Sequence, residues 1–142
     1  MRSSTVRVTC PICDEAVNVK VLTRIVVDDD AGLASDLMHG HVNSVTCKVC
    51  GHSGILAEPL IVVSQTVVAG YMPVSVPANR KAGIAQRLEK SVKAAAEGSQ
   101  RAVVCFGPRQ LRKEIPDLPW PRRLPIQWHR FDDPGTPEHR RR

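Results

Sequence analysis

The chain has 142 residues, of which 42% are hydrophobic and only 4% aromatic, so it is long enough for one compact domain with a mainly aliphatic core. Its net charge of +6 is unevenly placed: residues 1–77 carry 5 Lys/Arg and 7 Asp/Glu, whereas residues 78–142 carry 15 and 7. No apolar signal segment opens the chain, and the most apolar window, residues 55–76, contains Glu58 and two prolines. These features exclude a membrane span and favour a cytoplasmic location.

Two alternating segments near the amino terminus predict a β-hairpin. Residues 5–9 alternate polar and apolar side chains and lead directly into a Cys-x-x-Cys motif at residues 10–13. Residues 16–21 alternate again, and the apolar pattern continues to residue 27. We therefore expect the first cysteine pair at the tip of this hairpin.

A short helix is predicted after the first hairpin. Asp30 is a suitable N-cap for residues 31–38, Leu33 and Leu37 fall on one helix face, and Gly40 supplies a stop. Asp30 ends a run of three aspartates that could hold a divalent cation. We interpret the run as an acidic turn that caps the helix.

Two further hairpins are predicted between the helix and residue 77. Residues 43–46 lead into the second Cys-x-x-Cys motif, residues 47–50, and residues 54–57 lead out of it. Residues 60–63 and 66–72 flank a short turn and form the third hairpin. The first half of the chain is therefore expected to be a β-rich domain of residues 1–77.

The apolar period becomes helical beyond residue 77. Residues 79–97 carry an apolar stripe, with basic residues on the other faces. The stripe consists of Ile84, Leu88, Val92 and Ala95. Residues 101–106 predict a short strand, and a brief helix follows up to Pro116. We expect this extension, residues 78–116, to pack on the β-rich domain.

The last part of the chain, residues 117–142, is rich in proline and arginine. This composition is typical of an extended tail with no core of its own. The overall prediction is an α+β protein with a small antiparallel core of hairpins, a short inserted helix, the helix–strand–helix extension and this basic tail.

Four of the five cysteines form the two Cys-x-x-Cys motifs. They are Cys10, Cys13, Cys47 and Cys50. Each such turn presents two sulfurs to one metal. The residue after the motif often needs a positive φ, which suits Gly51 after the second motif. Asp14 after the first motif tolerates this conformation less well than glycine. A closed structural zinc site is the preferred interpretation. The alternatives are a redox pair, which leaves one motif unexplained, an iron site, and a catalytic zinc, which needs an open coordination position.

The remaining reactive side chains do not form a recognisable catalytic set. Cys105 lies in an apolar stretch and is expected to be a buried thiol. His39, His41 and His52 are close to the second motif in sequence; we expect loop histidines that face solvent, although His52 could touch a sulfur. No Ser/His/Asp set, phosphate-binding glycine loop or carboxylate pair is evident. The sequence therefore favours a non-enzymatic protein.

The cysteine motifs and their surroundings resemble the CpXC family, a bacterial and archaeal domain named for its two cysteine pairs. The resemblance covers residues 8–71, and its more specific part is the approach to the second pair, residues 37–43. Residues 101–115 resemble a further block of longer family members. Lys48 departs from the proline that members often carry, and the tail has no family counterpart. The resemblance implies a zinc-ribbon-like fold for residues 1–77 and no known activity.

The basic tail contains the candidate partner-binding residues. They are Trp120, Arg122, Arg123, Trp128, Arg130 and Phe131. Tryptophan and arginine are typical anchors in protein interfaces, so a protein partner or a neighbouring subunit is the first hypothesis. The others are packing on the chain's own domain and binding of single-stranded nucleic acid. We thus predict a small zinc-binding adaptor or structural subunit, with nucleic-acid binding through the basic half as the alternative.

Overall fold

The computed structural model describes residues 2–133, so residues 134–142 of the predicted tail lie outside the described residues. It contains seven strands and three helices within that range. In chain order they are β1 Arg2–Thr9, β2 Ala16–Val26, α1 Ala31–Met38, β3 Ser44–Thr46, β4 Ser53–Ile55, β5 Leu60–Val63, β6 Val67–Met72, α2 Ala78–Ala95, β7 Arg101–Phe106 and α3 Pro108–Glu114. The α+β class and the three predicted hairpins are confirmed.

The strands form two sheets. The larger sheet has the order β1-β2-β5-β6-β7, and the smaller one consists of β3 and β4. Within the larger sheet, β1–β2 and β5–β6 are antiparallel, whereas β2–β5 and β6–β7 are parallel. The parallel β2–β5 pairing joins the first and third hairpins, and β7 of the extension adds to β6 in parallel. The larger sheet is therefore mixed, whereas the sequence predicts an antiparallel core of hairpins.

The larger sheet lies between two helical layers. Every residue of β6 is buried, because its two faces are both covered. Val67 and Tyr71 pack in the same cluster as Leu37 of α1 and Leu111 of α3. Val68 lies on the opposite face, against Val92 of α2. The helices α1 and α3 therefore cover one face of the sheet, and α2 covers the other.

The predicted local signals of the helices are confirmed. The Asp30 carboxylate accepts a hydrogen bond from the Leu33 amide at 3.0 Å, which caps α1. Of the predicted α2 stripe, Ile84, Leu88 and Val92 are buried and Ala95 is half-buried. A Cβ at Gly70 of β6 would lie 2.9 Å from the Leu88 Cβ, so this glycine lets α2 approach the sheet closely. None of the helices in the described range is long and apolar enough to cross a membrane.

The Asn43 side chain ties the segment after α1 to the larger sheet. Its Oδ1 accepts from the Leu22 amide at 2.7 Å, and its Nδ2 donates to the Leu22 carbonyl at 3.0 Å. The side-chain amide therefore pairs with both backbone polar groups of one residue of β2, as a neighbouring strand would. Asn43 is buried and has a φ of 57°, which asparagine tolerates better than most residues. This pairing positions β3, and with it the second cysteine motif.

Part of the tail pairs with strand β4, and we call this part the C-terminal strap (residues 124–131). Its Arg130 forms a parallel β-bridge with Ile55 of β4. The Ile55 amide donates to the His129 carbonyl, and the Phe131 amide donates to the Ile55 carbonyl, both at 2.8 Å. Within the described part of the tail, residues 117–133, the strap enters the core of the domain, with Phe131 only 1% exposed.

Candidate metal centre

The four motif cysteines meet between the tips of two hairpins. Their Sγ atoms all lie within 4.8 Å of one another, and the Cys10–Cys50 and Cys13–Cys47 pairs are each 3.5 Å apart. Four thiolates at about 2.3 Å around a tetrahedral metal would lie about 3.8 Å from each other. The observed sulfur separations bracket that value, so the residues present fit a four-thiolate metal site.

Each Cys-x-x-Cys turn together with the residue after it forms a knuckle, residues 10–14 and 47–51, and the two knuckles have the same backbone arrangement. The Asp14 amide donates to the Cys10 carbonyl and the Gly51 amide to the Cys47 carbonyl, each at 2.9 Å. Asp14 has a φ of 63° and Gly51 a φ of 78°. The prediction of positive φ after both motifs is confirmed, and the tight turns direct each cysteine pair towards the other knuckle.

Backbone amides also stabilise negative charge on the sulfurs. Hydrogen bonds from the amides of Cys50 and Val49 lower the pKa of Cys47 to about 7. The pKa of Cys13 rises to about 12: the Glu15 amide lowers it, but burial and the neighbouring thiols raise it more. Thiols this close cannot all ionise on their own, because each thiolate repels the next. A bound dication would remove that repulsion and hold all four as thiolates.

The cysteines differ in their access to solvent. Cys10 and Cys47 are buried, Cys13 is half-buried and Cys50 is exposed. The two buried cysteines belong to an apolar cluster with Val45, Leu56 and Phe131. The centre is therefore backed by core side chains on one side and open to solvent on the other.

The histidines near the motifs do not complete a second site. His39 and His41 are exposed, as expected. His52 is half-buried, and its Nε2 donates to the Phe131 carbonyl at 2.7 Å, so the expectation that it faces solvent is wrong. Within residues 2–133 the four cysteines are the one group of three or more His, Cys, Asp or Glu side chains whose ligand atoms converge.

The strap fits against glycines that leave room for it. A Cβ at Gly54 of β4 would lie 2.6 Å from the backbone of Phe131, and a Cβ at Gly40 would lie 2.6 Å from the Trp128 ring. A Cβ at Gly107 would lie 2.5 Å from the carbonyl oxygen of Ile126. Three glycines from separate parts of the chain therefore accommodate the strap. Sequence reasoning missed this role, because each contact is distant along the chain.

The predicted tail residues occupy different environments. Phe131 is buried, Trp128 is half-buried, and Arg130 bonds the Asp132 carboxylate and the Ser75 carbonyl. Trp120 is also half-buried, and its Nε1 donates to the Ile115 carbonyl at 2.7 Å. Arg122 and Arg123 are exposed. The six residues therefore do not form one outward surface.

Cys105 is a buried thiol, as predicted. The side chain is 1% exposed and belongs to the hydrophobic cluster between the larger sheet and α3. Burial, with a smaller effect of the Glu114 carboxylate, raises its pKa to about 12. The thiol is therefore protonated at neutral pH, which suits a packing role.

Comparison with known proteins identifies the arrangement. The family model described as CpXC protein matches residues 8–115, which include both knuckles, the larger sheet from β2 onward and all three helices. The match includes residues 72–100, which lie between the two blocks of sequence resemblance, residues 8–71 and 101–115. It ends before the strap. No curated protein and no solved structure matches the chain.

Proposed function

The chain belongs to the CpXC family, and from that premise we propose that this small metal-binding protein carries one structural zinc ion and acts as an adaptor or structural subunit without enzymatic activity. The observation that carries the proposal is the closed set of four sulfurs from Cys10, Cys13, Cys47 and Cys50. Four protein ligands leave a tetrahedral metal no position for water or substrate.

Zinc is the metal that we assign to this set of four sulfur donors. Four thiolates in tetrahedral arrangement bind zinc, and they also bind iron. When bound, zinc would supply folding free energy by crosslinking the two knuckles. Those knuckles are joined to the strap through His52, Phe131 and the apolar cluster that contains Cys10 and Cys47. The metal centre therefore supports the C-terminal segment as well as the two hairpins.

The proposed contact for a protein partner is the described part of the tail, residues 117–133, which we call the C-terminal region. Its buried members, Phe131 and Leu124, attach the region to the domain, and the outward side chains of Arg122, Arg123 and Ile126 remain exposed. A segment anchored in this way presents exposed side chains at low entropic cost, because its backbone is already ordered.

Nucleic-acid binding is the second candidate, and one observation favours it. Helix α2 carries five basic side chains and a single carboxylate, Glu89, which pairs with Lys93. Its outer face is therefore a positively charged surface of the kind that contacts phosphates. Helix α2 covers one face of the larger sheet, whereas Arg122 lies beside α3 on the other face, which argues against one continuous groove.

Elemental analysis tests the metal. Protein purified without chelator should contain one zinc per chain, and substitution of Cys10 and Cys47 by serine should abolish the zinc. Iron in place of zinc after purification without oxygen would overturn the zinc assignment, and protein without any bound metal would overturn the structural centre.

Partner capture from native-host lysate tests the adaptor role. Removing residues 117–142 would also remove Phe131 from the core, so the sharper variant is Arg122→Glu with Arg123→Glu. This pair should lose a partner that the unaltered chain retains, whereas Arg87→Glu with Lys90→Glu on α2 should retain it. Loss of the partner in the α2 variant alone would argue against the adaptor contact and favour nucleic-acid binding. The same conclusion would follow if the unaltered chain binds single-stranded nucleic acid at low salt and Arg87→Glu with Lys90→Glu abolishes that binding.

A further inference from the structure

The turn after α3 forms an open cleft that differs from the rest of the basic surface. Its volume is about 500 Å³. Its lining residues include Leu118, Pro119 and Trp120, which we call the apolar floor, and the basic residues Arg112, Lys113 and Arg122. We call this site the cationic cleft. It lies between α3 and the start of the C-terminal region, for which the partner contact was proposed.

The floor of the cationic cleft is held in place by the fold. Trp120 donates from Nε1 to the Ile115 carbonyl at the end of α3, and its backbone amide donates to the Leu118 carbonyl at 2.8 Å. Leu118 and Trp120 also pack against the cluster between the sheet and α3. Because the indole has one orientation before any ligand arrives, binding does not have to order it.

The cations that line the cleft are available to a ligand. Among residues 2–133, Arg112, Lys113 and Arg122 form no ion pair. The nearest helical carboxylate, Glu114, is paired with Arg101 at 3.0 Å. Asp117 is exposed at the start of the turn but does not line the cleft. The local charge is therefore positive, and the complementary ligand is an anion that also carries an apolar group.

We propose that the cationic cleft binds an acidic segment of a protein partner, with an apolar side chain of that segment on the Leu118–Trp120 floor and its carboxylates on Arg112, Lys113 and Arg122. This inference rests on the proposed function and names the chemistry of the partner. Arginine pairs with carboxylates in a bidentate manner, which gives such a contact direction as well as charge.

The position of the cleft favours a peptide over a polynucleotide. Helix α3 packs on the face of the sheet that carries Val67 and Tyr71, whereas α2 packs on the opposite face. The basic residues of α2 therefore cannot extend the cleft into a continuous track. Single strands are typically bound along such a track, with successive bases stacked on exposed aromatic rings. Here Trp120 is half-buried and its Nε1 is already bonded.

Titration of the full zinc-loaded chain with synthetic peptides tests the proposal. The probe is a peptide in which glutamates flank a central Leu-Pro pair, and the matched peptide has glutamine at every glutamate position. Trp120 fluorescence in a Trp128→Phe background, together with calorimetry on the unaltered chain, reports binding. The acidic peptide should bind roughly tenfold or more tightly than the glutamine peptide, and added salt should weaken it.

Charge reversal locates the binding site. Arg112→Glu, Lys113→Glu and Arg122→Glu together should weaken the acidic peptide by roughly tenfold or more. The matched control, with Arg87, Lys90 and Lys93 changed to glutamate, alters the net charge equally and should leave the affinity within about twofold. A circular-dichroism melt shows whether each variant is folded, and Arg122→Gln alone provides a milder change if the triple variant is not.

Three outcomes would overturn the inference. They are equal binding of the two peptides, equal weakening by the α2 control, and tighter binding of oligothymidine than of the acidic peptide. If partner capture depends on Arg122 and Arg123 while the peptides fail to bind, the adaptor role stands and the chemistry assigned to the cleft is wrong. If peptides bind but capture does not depend on these residues, the adaptor contact lies elsewhere.

Discussion

The His52 imidazole donates from Nε2 to the Phe131 carbonyl at 2.7 Å, and the two rings lie 5.2 Å apart between centroids. His52 follows the second knuckle directly, and its own carbonyl accepts from the Cys47 amide at 2.7 Å. One residue therefore connects a metal ligand to the C-terminal strap. We infer that the metal centre and the strap are stabilised together.

Phe131→Ala should destabilise the protein strongly. The side chain is 1% exposed and packs with Cys10 and Cys47, so its removal leaves a cavity beside the metal centre. A loss of about 3–5 kcal/mol in the free energy of unfolding is expected. Urea titration followed by circular dichroism measures it. Ile126→Ala is the matched control in the same strap, because Ile126 is 73% exposed and should change stability by less than about 0.5 kcal/mol. Similar effects of the two changes would argue against a docked strap.

Gly54→Ala should displace the strap. The added Cβ would lie 2.6 Å from the Phe131 backbone, which cannot yield without loss of the bridge to Ile55. We expect a cost of about 1–3 kcal/mol and faster exchange of the Phe131 amide hydrogen. Gly83→Ala is the opposite case: nothing lies within 4 Å of the added Cβ, and alanine favours the helix by about 0.5–1 kcal/mol. The free energy of unfolding should therefore fall in Gly54→Ala and rise in Gly83→Ala. A rise in Gly54→Ala would be incompatible with the strap contact.

Tyr71→Phe should be neutral or slightly stabilising. The Tyr71 hydroxyl and the Trp128 Nε1 are buried and have no hydrogen-bond partner among the described residues. Burial raises the pKa of the Tyr71 hydroxyl, and the neighbouring Trp128 indole opposes this rise. Removing an unpaired buried hydroxyl relieves a desolvation cost. A destabilisation above about 1.5 kcal/mol in chemical unfolding would contradict an unpaired hydroxyl.

Cys105 should react slowly with thiol reagents while the protein is folded. Its pKa of about 12 lies above the ordinary value, so the folded state keeps its proton at a pH where the unfolded thiol begins to ionise. Folding stability should therefore fall as the pH rises above about 9, because the native state then binds more protons than the unfolded state. Alkylation at pH 8 followed by peptide mapping should label Cys105 only after unfolding. Rapid labelling of the native protein would contradict its buried position.

The local elements could be predicted from the sequence because their signals are short-range. The alternation before Cys10, the Asp30 cap and the Ile84–Leu88–Val92 stripe all correspond to observed structure. The meeting of the four sulfurs was also predictable, since two Cys-x-x-Cys motifs at hairpin tips have few other uses.

Long-range pairings were not predictable in the same way. The parallel β2–β5 contact depends on how α1 and the smaller sheet fold between those strands. The strap lies in a tail that is rich in proline and arginine, so composition alone predicts an extended segment. Its docking depends on space at Gly40, Gly54 and Gly107, and on one buried aromatic ring. A glycine in the sequence does not reveal which distant backbone will approach it.

Hydrogen exchange of the zinc-loaded protein and of the same protein after chelation tests the central claim most directly. If the metal centre supports the strap, chelation should release the Phe131 and Ile55 amides, whose bonds join the strap to β4, before the amides of β5 and β6. A His52→Ala variant should show part of this loss with zinc still bound. Unchanged protection of the Phe131 amide after complete zinc removal would contradict the account, because the strap would then be held independently of the four cysteines.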